Sequence, residues 1–385
     1  MANVTAGDGS SSREERQADL IYVISHVGIL PVICLFGLVG NAINLRTLYN
    51  RRLRAVAYAY LRAVAVADLL CMLFVLGSAA TNAMMHTDEL KGHYWVAFYR
   101  AHVNLLLINC SISTAVLLVT SLSFERYISV AYPVHYRQNC HFAKRVRVII
   151  GVSIVVSVVI YLPQAIWRFK VDPETNKVDD TPLSRMEWWL VYKYGRELAL
   201  RIVPLVMIAT LNVGIVVVLF KRRRALQKGK AVTRLRTRTQ SCLSTSQGAP
   251  KRSTDSNSAA LVLSKNDRLL MLLLGCIVVV FFLCNVPAAI NLMIISETVM
   301  SKIWYQIFRA FANLTEVAGH ATYFYVFCFC SADYRQAFKE TFPAVFGRRE
   351  RRPTAASLSR PFSQQAPSSF VTATSASMKN YAYSI

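Results

Sequence analysis

Residues 105–133 read LLLINCSISTAVLLVTSLSFERYISVAYP, a long apolar run followed by a charged pair. Residues 105–124 contain no Asp, Glu, Lys or Arg. A helix rises about 1.5 Å per residue, so about 20 apolar residues cross the hydrocarbon core of a bilayer. The charged pair Glu125-Arg126 then closes the run. The stretch therefore predicts a membrane-spanning helix with a charged end.

The composition of the whole chain points the same way. Of its 385 residues, 54% are hydrophobic and 17% are charged, and its mean hydropathy is +0.35. Soluble domains have about 45–50% apolar and about 25% charged residues. The composition excludes a soluble enzyme, a secreted disulfide scaffold and a disordered regulator. The length of the runs excludes an outer-membrane barrel, whose strands are about half as long.

Seven apolar segments, numbered here as spans one to seven, are each long enough to cross a bilayer with some tilt. They cover Ile21–Tyr49, Ala57–Ala83, Phe98–Val130, Lys144–Trp167, Lys193–Phe220, Asp267–Ile295 and Trp304–Phe329. A short amphipathic stretch follows at residues 331–338. The predicted fold is an all-α membrane protein, a seven-transmembrane helix bundle with a short eighth helix.

The segments divide the chain into three parts. Residues 1–20 are predicted as an extracellular N-terminus without a signal peptide, and residues 21–340 as the seven-transmembrane domain. Residues 341–385 form a cytoplasmic tail rich in Ser and Thr. Within the second part, residues 221–265 mix basic clusters with Ser, Thr and Gln, which predicts a flexible cytoplasmic third loop. No internal repeat is visible, which disfavours an inverted-repeat transporter.

Charge sets the expected orientation. The formal net charge is +23, and the basic clusters lie after spans one, three, five and seven. Lys and Arg collect on the cytoplasmic side of spans, so the N-terminus is expected outside a plasma membrane and the C-terminus inside. No nucleic-acid partner is expected, because the clusters alternate with apolar runs. Asn3 begins an N-glycosylation acceptor on the predicted outside.

Several polar or helix-bending residues occur within the spans. They are Asn41 in span one, Asp68 in span two, Glu125, Arg126 and Tyr127 in span three, Pro204 in span five and Pro287 in span six, which Phe281 and Cys284 also mark. Polar side chains are costly in hydrocarbon and call for a function. Pro204 interrupts span five, and Pro287 predicts a kink in span six.

In their order and spacing these residues resemble the rhodopsin-like (class A) G-protein-coupled receptors over most of residues 21–340. Within that class, residues 58–63, 211–212 and 283–285 look most like invertebrate FMRFamide-type neuropeptide receptors. The resemblance implies a receptor rather than an enzyme, with no cofactor.

The resemblance also implies a switch at the cytoplasmic end. Arg126, beside Glu125 and Tyr127, would pair with Asp267 of span six and hold the two spans together at rest. Activation would break this pair and turn Arg126 toward a heterotrimeric G protein, a pocket of which Val134 would fill. The alternative is that Arg126 only extends to the lipid interface.

Asp68 is the core acid that, in the family, helps to bind a sodium ion. The matching residue of span three is Ala115, and residues 323–327 replace the expected Asn-Pro-x-x-Tyr motif. A complete sodium site is therefore not expected, and Asp68 is either protonated or bonded elsewhere. Its candidate partners are Asn41, Tyr323 and His320.

The nine cysteines do not supply the disulfide that ties span three to the second extracellular loop in the family. The matching position is Ala101, and residues 168–192 contain no Cys. Packing must hold this loop, with Trp95, Trp188 and Trp189 as candidates; the alternative is a mobile loop.

Two ligand classes are disfavoured by the resemblance. Ile108 stands where aminergic receptors carry an acid, and Val317 where opsins carry a lysine. Residues in the outer parts of the spans predict a wide, mixed-charge mouth that suits a peptide better than a lipid. They are Asn104, Asn109, Gln164, Arg196, Glu197, Arg201, Asn291, Trp304, Arg309 and Glu316. The alternative is internal pairing, as between Glu197 and Arg201 at i, i+4 spacing.

Together these features predict a G-protein-coupled receptor for a neuropeptide, embedded in membrane lipid. A receptor kinase and arrestin are expected partners of the tail. A seven-span channel or transporter, and a receptor-like protein with ligand-independent signalling, remain alternatives.

Overall fold

The structure is a computed structural model that describes residues 8–86, 93–138, 142–176, 178–243, 265–294 and 297–346. The chain divides into two units, Met1–Phe342 and Pro343–Ile385. In the second unit, the described part is a one-turn helix, Pro343–Phe346. The first unit contains the spans.

The first unit is almost entirely helical. Its spans consist of Asp8–Tyr22, Val23–Ile29 and Leu30–Leu48 (span one), Val56–His86 (span two), Tyr94–Phe98, Tyr99–Asn104 and Leu105–Ala131 (span three), Phe142–Trp167 (span four), Glu187–Glu197, Leu198–Ile202 and Val203–Leu243 (span five), Lys265–Ile294 (span six), and Ile303–Ala321 and Tyr323–Cys330 (span seven). Shorter helices are Pro133–Gln138, Pro182–Arg185, Glu297–Met300 and Ala332–Thr341.

The prediction of an all-α membrane bundle is confirmed. In the part of the chain that the structure describes, five helical stretches are long and apolar enough to cross a membrane, and 275–291 forms a shorter apolar helix. Span four is apolar on its exposed side too, with Val152, Val155 and Val159 all more than half exposed. A helix that is hydrophobic all round suits a lipid surrounding.

Two helix ends differ from the sequence expectation. Span one begins at Asp8, inside the predicted N-terminal segment, and the last helix of span five continues to Leu243, well into the predicted third loop. Residues 221–243 are rich in Lys, Arg, Leu, Ala and Gln, which are strong helix formers. A polar composition therefore ends the membrane-spanning part of the helix without ending the helix.

The spans pack as a bundle in which each contacts at least two others. Span three contacts spans two, four and five, and span seven contacts spans one and six. Glycines permit two of the close approaches: a Cβ atom at Gly37 would lie 2.9 Å from Ala321 Cβ, and one at Gly214 would lie 2.9 Å from Tyr127 Cε2. Span seven breaks at Thr322, whose hydroxyl donates to the Gly319 carbonyl over 3.0 Å.

A short hairpin follows span four. Strand β1 (Phe169–Val171) pairs antiparallel with strand β2 (Val178–Asp180), with Lys170 opposite Asp179. Between the strands, Asn176 has a positive φ of 54°. We call the end of the bundle that carries this hairpin the hairpin end, and the opposite end of span three the Arg126 end.

Three π-helical segments occur among the described residues, and each lies toward the hairpin end of its span. They are Val23–Ile29, Tyr99–Asn104 and Leu198–Ile202. Such wide turns are rare and are found mostly at functional sites.

The eighth helix, Ala332–Thr341, begins with a cap. The Ser331 hydroxyl accepts a hydrogen bond from the Tyr334 backbone N–H over 3.1 Å, which satisfies one unpaired donor of the first turn. The buried Tyr334 hydroxyl donates to Asn44 Oδ1 over 2.9 Å and so fixes this helix against span one.

Candidate functional sites at the two ends of the bundle

A buried acid–histidine pair joins spans two and seven at the middle of the bundle. Asp68 and His320 are almost fully buried, and the Nδ1 atom of His320 lies 2.7 Å from Asp68 Oδ1. Of the three candidate partners of Asp68, the hydrogen bond is therefore to His320. Asn41 instead donates from its amide to the His320 carbonyl over 3.0 Å. The Tyr323 ring lies nearly perpendicular to the imidazole, with centroids 6.4 Å apart.

The Arg126 end holds a buried group of charged and phenolic side chains. Glu125 and Arg126 are 5% and 9% exposed. Tyr136, on the short helix Pro133–Gln138, hydrogen-bonds to the Glu125 carboxylate. Burial, and then the charge of Glu125, raise the pKa of the Tyr136 phenol, so it remains a neutral donor.

The other residues of the predicted switch are placed around this group. Tyr127 lies against Gly214 of span five, and Val134 is 70% exposed beyond the end of span three. Asp267 falls within the first turns of span six, where its side chain is outside the described residues. The Arg126–Asp267 pair therefore stays a prediction.

The two predicted prolines, Pro204 and Pro287, occupy different positions in their helices. Pro287 lies inside span six, near the buried Phe281, and the helix continues past it to Ile294. The Asn285 amide donates to the Phe281 carbonyl over 2.8 Å. Pro204 stands just after the wide turn of span five, at the second residue of the next helix. Because the helix is continuous across this position, Pro204 removes one backbone hydrogen bond next to the wide turn.

Most of the charged residues predicted to line the mouth pair with one another. Glu197 Oε1 accepts from Arg196 at 2.6 Å, and Glu316 Oε1 accepts from Arg201 at 2.7 Å. Arg201 also lies 3.8 Å from Glu197 Oε2, which makes a continuous buried chain of charges. The Nη1 atom of Arg196 also donates a hydrogen bond to Gln164 Oε1 in span four. The positive charges of two arginines balance the negative charges of two glutamates. This network of side chains therefore links span four to spans five and seven without a net charge.

The remaining predicted mouth residues do not join this chain. Asn109 donates to its own helix at Leu105 over 2.8 Å. Asn291 Oδ1 is buried without a hydrogen-bond partner among the described residues. Trp304 is 53% exposed and stacks edge-on against Tyr305, and Arg309 is exposed.

A cavity of about 690 Å³ opens between spans one, two and three and the hairpin. Its lining includes Tyr22, Asn82, Arg100, Asn104, Phe169 and Asp179. Of the predicted mouth residues, Asn104 alone appears in this lining. Its side chain is 5% exposed, and its Oδ1 has no hydrogen-bond partner among the described residues. A polar atom buried in this state is ready to accept a hydrogen bond from a bound molecule.

The sequence did not reveal the other lining residues for a structural reason. Arg100 and Asn104 belong to the π-helical turn Tyr99–Asn104, whose side chains do not follow the α-helical period. Asp179 lies on strand β2, and the pairing of β2 with β1 places it in the cavity lining. Counting apolar spans in the sequence does not predict this pairing.

Packing replaces the absent disulfide between span three and the hairpin. Ala101, at the expected cysteine position, forms a buried cluster with Ala97 and Val171, against which Phe169 packs. The seven cysteines whose side chains the structure describes are free thiols.

Indole stacking and hydrogen bonds hold the rest of this loop. Trp188 stacks edge-on against Trp167 and Trp189. The Thr181 hydroxyl donates to the Trp167 carbonyl over 2.5 Å. Trp95 is 76% exposed, and its ring contacts in the described residues are with Tyr94 and Phe98. Of the three candidate tryptophans, Trp188 and Trp189 thus stack beside the loop.

Burial, neighbouring charges and hydrogen bonds shift the pKa values of two charged side chains at the hairpin. Arg168 lies 3.9 Å from Asp180 across the hairpin. Burial is the main cause that lowers the pKa of Arg168, although Asp180 opposes it. The Thr175 hydroxyl, which donates to the Asp172 carboxylate over 2.6 Å, lowers the pKa of that carboxyl and stabilises the turn.

Comparison with known proteins decides the family. Residues 42–332 match the family described as 7 transmembrane receptor (rhodopsin family). The chain belongs to this family. It is therefore a multi-pass membrane receptor that couples a ligand to a G protein, and not an enzyme.

Three relatives of this receptor come from Caenorhabditis elegans. It is 38% identical over 329 residues to "Probable G-protein coupled receptor B0563.6", a match that covers 83% of this chain and 70% of the relative. It is 26% identical over 332 residues to "Probable G-protein coupled receptor AH9.1", with 83% and 75% covered. The third, "Sex peptide receptor-related protein 2", is 24% identical over 355 residues, with 85% and 73% covered.

Proposed function

We propose that this receptor is activated by a neuropeptide that enters the cavity at the hairpin end. The observation that carries the proposal is the cavity of about 690 Å³, whose lining combines a cation, an acid and the unpaired amide oxygen of Asn104. Sites of this size bind small molecules or short segments. A peptide offers charged, amide and aromatic groups along one chain, which suits a lining that mixes Arg100, Asp179 and Phe169.

The internal pairing of charges supports this location over the mouth of spans five and seven. Glu197 and Glu316 already accept hydrogen bonds from Arg196 and Arg201. Removing one partner from a buried ion pair is costly, so these residues are better suited to support the bundle than to bind the peptide. The name of the relative called sex peptide receptor-related protein 2 is in keeping with a peptide ligand.

The proposal for signalling is the switch at the Arg126 end. Arg126 and Glu125 are buried at the end of span three, and Asp267 begins span six. A bound peptide would favour a bundle in which span six moves away from Arg126, opening a surface for the G protein. Val134 is exposed beside this surface, as a contact residue must be.

The proposed setting is the plasma membrane, with the N-terminus and the hairpin end outside. The basic loops support this orientation, which would expose Asn3 to glycosylation. Residues 341–385 would form a cytoplasmic tail that a receptor kinase phosphorylates and arrestin binds. Residues 1–20 would face outward, and membrane lipid would cover the apolar outer faces.

The first experiment identifies the ligand and tests the cavity. Cells that express the receptor are exposed to a library of amidated peptides, and second messengers are recorded. With an active peptide, Arg100→Ala should weaken the response about 10- to 100-fold, as expected for loss of a charged hydrogen bond of about 1.5–3 kcal/mol. Arg185→Ala, on the exposed helix Pro182–Arg185 outside the cavity, is the control. Equal potency of the two variants would contradict the proposed site.

The second experiment tests the switch. Arg126→Ala should abolish G-protein activation while peptide binding and surface expression persist. Arg54→Ala, an exposed arginine between spans one and two, controls for a general loss of positive charge. Normal signalling by Arg126→Ala would refute the switch.

A further inference from the structure

The hydrogen bond between Asp68 and His320 is a direct bond between two spans. Both side chains are at most 1% exposed, and the 2.7 Å separation of Nδ1 and Oδ1 requires a proton between these atoms. Asn41 of span one holds the His320 backbone from the other side through its amide. Spans one, two and seven therefore meet at one histidine.

The residues around Asp68 do not fit the sodium ion that the family implies. Ala115, which replaces an oxygen-bearing residue of span three, supplies no ligand. In the described part of the chain, the side-chain oxygens that touch this group of three residues and lack a hydrogen-bond partner are Asp68 Oδ2 and Asn41 Oδ1. Two oxygens are far fewer than the six or so that hard cations such as Mg²⁺ and Ca²⁺ take.

The space beside Asp68 is also too small. The cavity that touches its side chain measures about 10 Å³, and its lining is mostly apolar, including Leu61, Val64, Val119 and Ile277. This volume is room for about one water molecule, and not for an ion with a hydration shell.

We propose that the imidazole of His320 takes the place of the sodium ion in this receptor. A side chain of span seven, rather than a diffusible metal ion, then satisfies the core acid of span two. This inference does not depend on the identity of the peptide or on the hairpin-end cavity.

The consequence is a bundle whose resting state does not respond to sodium. An ion that binds the folded state stabilises it by an amount that grows with the logarithm of its concentration above the dissociation constant, whereas a side chain of the protein itself is present at all salt concentrations. The bond also acts on span seven two residues before its helix breaks at Thr322, so it fixes the position of that break relative to span two.

The first test measures thermal stability of the purified receptor in lipid nanodiscs, without any peptide. Melting is followed in sodium chloride and in N-methyl-D-glucamine chloride at equal ionic strength. We expect the same melting temperature in both salts. A higher melting temperature in sodium chloride, rising with the logarithm of the sodium concentration, would overturn the proposal. The measurement uses the unaltered protein, so it does not depend on whether a variant folds.

The second test measures the coupling between the two side chains. Asp68→Asn and His320→Gln are each expected to lower the melting temperature, and the double variant to lower it by less than the sum of the two shifts. His102 provides the matched control, because its Nδ1 lies 2.5 Å from the Ala165 carbonyl and it takes no part in the bond to Asp68. Asp68→Asn and His102→Gln should give additive shifts. Additive shifts for Asp68→Asn with His320→Gln would overturn the pairing.

Discussion

Alanine at Gly319 should press spans six and seven apart. A Cβ atom at this position would lie 2.7 Å from the Cβ atom of Cys284 and 3.3 Å from its Sγ. Non-bonded carbon atoms prefer about 3.5–4.0 Å. Because the nearer contact is with Cβ, rotation of the cysteine side chain does not relieve it, and one of the two helices must shift.

Two opposing effects set the magnitude. Overpacking of a core costs about 1–3 kcal/mol, whereas alanine in place of glycine stabilises a helix interior by about 0.8–1.0 kcal/mol. Gly151→Ala isolates the second effect, because nothing lies within 4 Å of a Cβ atom at Gly151 in span four. Gly319→Ala should therefore be about 1–3 kcal/mol less stable than Gly151→Ala. At about 2–4 °C per kcal/mol for a protein of moderate size, the two variants should melt several degrees apart.

The assay is intrinsic tryptophan fluorescence of purified variants during heating in nanodiscs. Cys284→Gly removes the obstructing Cβ atom, so in that background Gly319→Ala should no longer destabilise. Cys284→Ala keeps the Cβ atom and should give no such rescue. The reasoning is refuted if Gly319→Ala melts with Gly151→Ala, or if the two cysteine backgrounds respond alike.

Three further variants test contacts elsewhere in the bundle. Ser331→Ala removes the cap of the eighth helix and should cost about 1 kcal/mol, read as a lower melting temperature. Tyr334→Phe leaves Asn44 Oδ1 buried without its donor and should cost about 1–3 kcal/mol; an unchanged melting temperature would contradict the contact. Glu316→Gln weakens the bridge to Arg201 and should also cost about 1–3 kcal/mol, with normal surface expression in cells.

The bundle was predictable because hydrophobic run length is a local property of the sequence. The ends of spans one and five were not, since Asp8–Tyr22 and residues 221–243 are polar helices that no apolar period marks. Helix propensity alone would have indicated the second extension, because its residues are strong helix formers.

The polar core was predictable as a set of residues but not as a set of bonds. Asp68 was recognised as an acid in need of a partner, yet the choice of His320 depends on how spans two and seven face each other. Likewise, the alternative of internal pairing between Glu197 and Arg201 agrees with their 3.8 Å separation. The shorter bond from Arg201 to Glu316 joins residues far apart in the chain, which sequence spacing does not reveal.

The missing cysteines predicted the absence of the disulfide, but they did not predict the packing contact that replaces it. Whether Val171 meets Ala101 depends on the register of a three-residue strand. A single-residue slip of that strand would turn the opposite face toward span three.

The wide turn Tyr99–Asn104 has a consequence for matching this chain to its relatives residue by residue. A π turn holds about one residue more than an α turn, and each residue of an α-helix advances the phase by about 100°. Deleting one residue there would let span three wind as a uniform α-helix and keep Tyr94–Phe98 in about its present phase. Rewinding the turn as α-helix without a deletion would instead rotate that segment by about 100° and carry Ala97 away from Val171. A correct alignment with a relative that lacks this turn must therefore place a gap inside the membrane-spanning helix, and not in the loop before it.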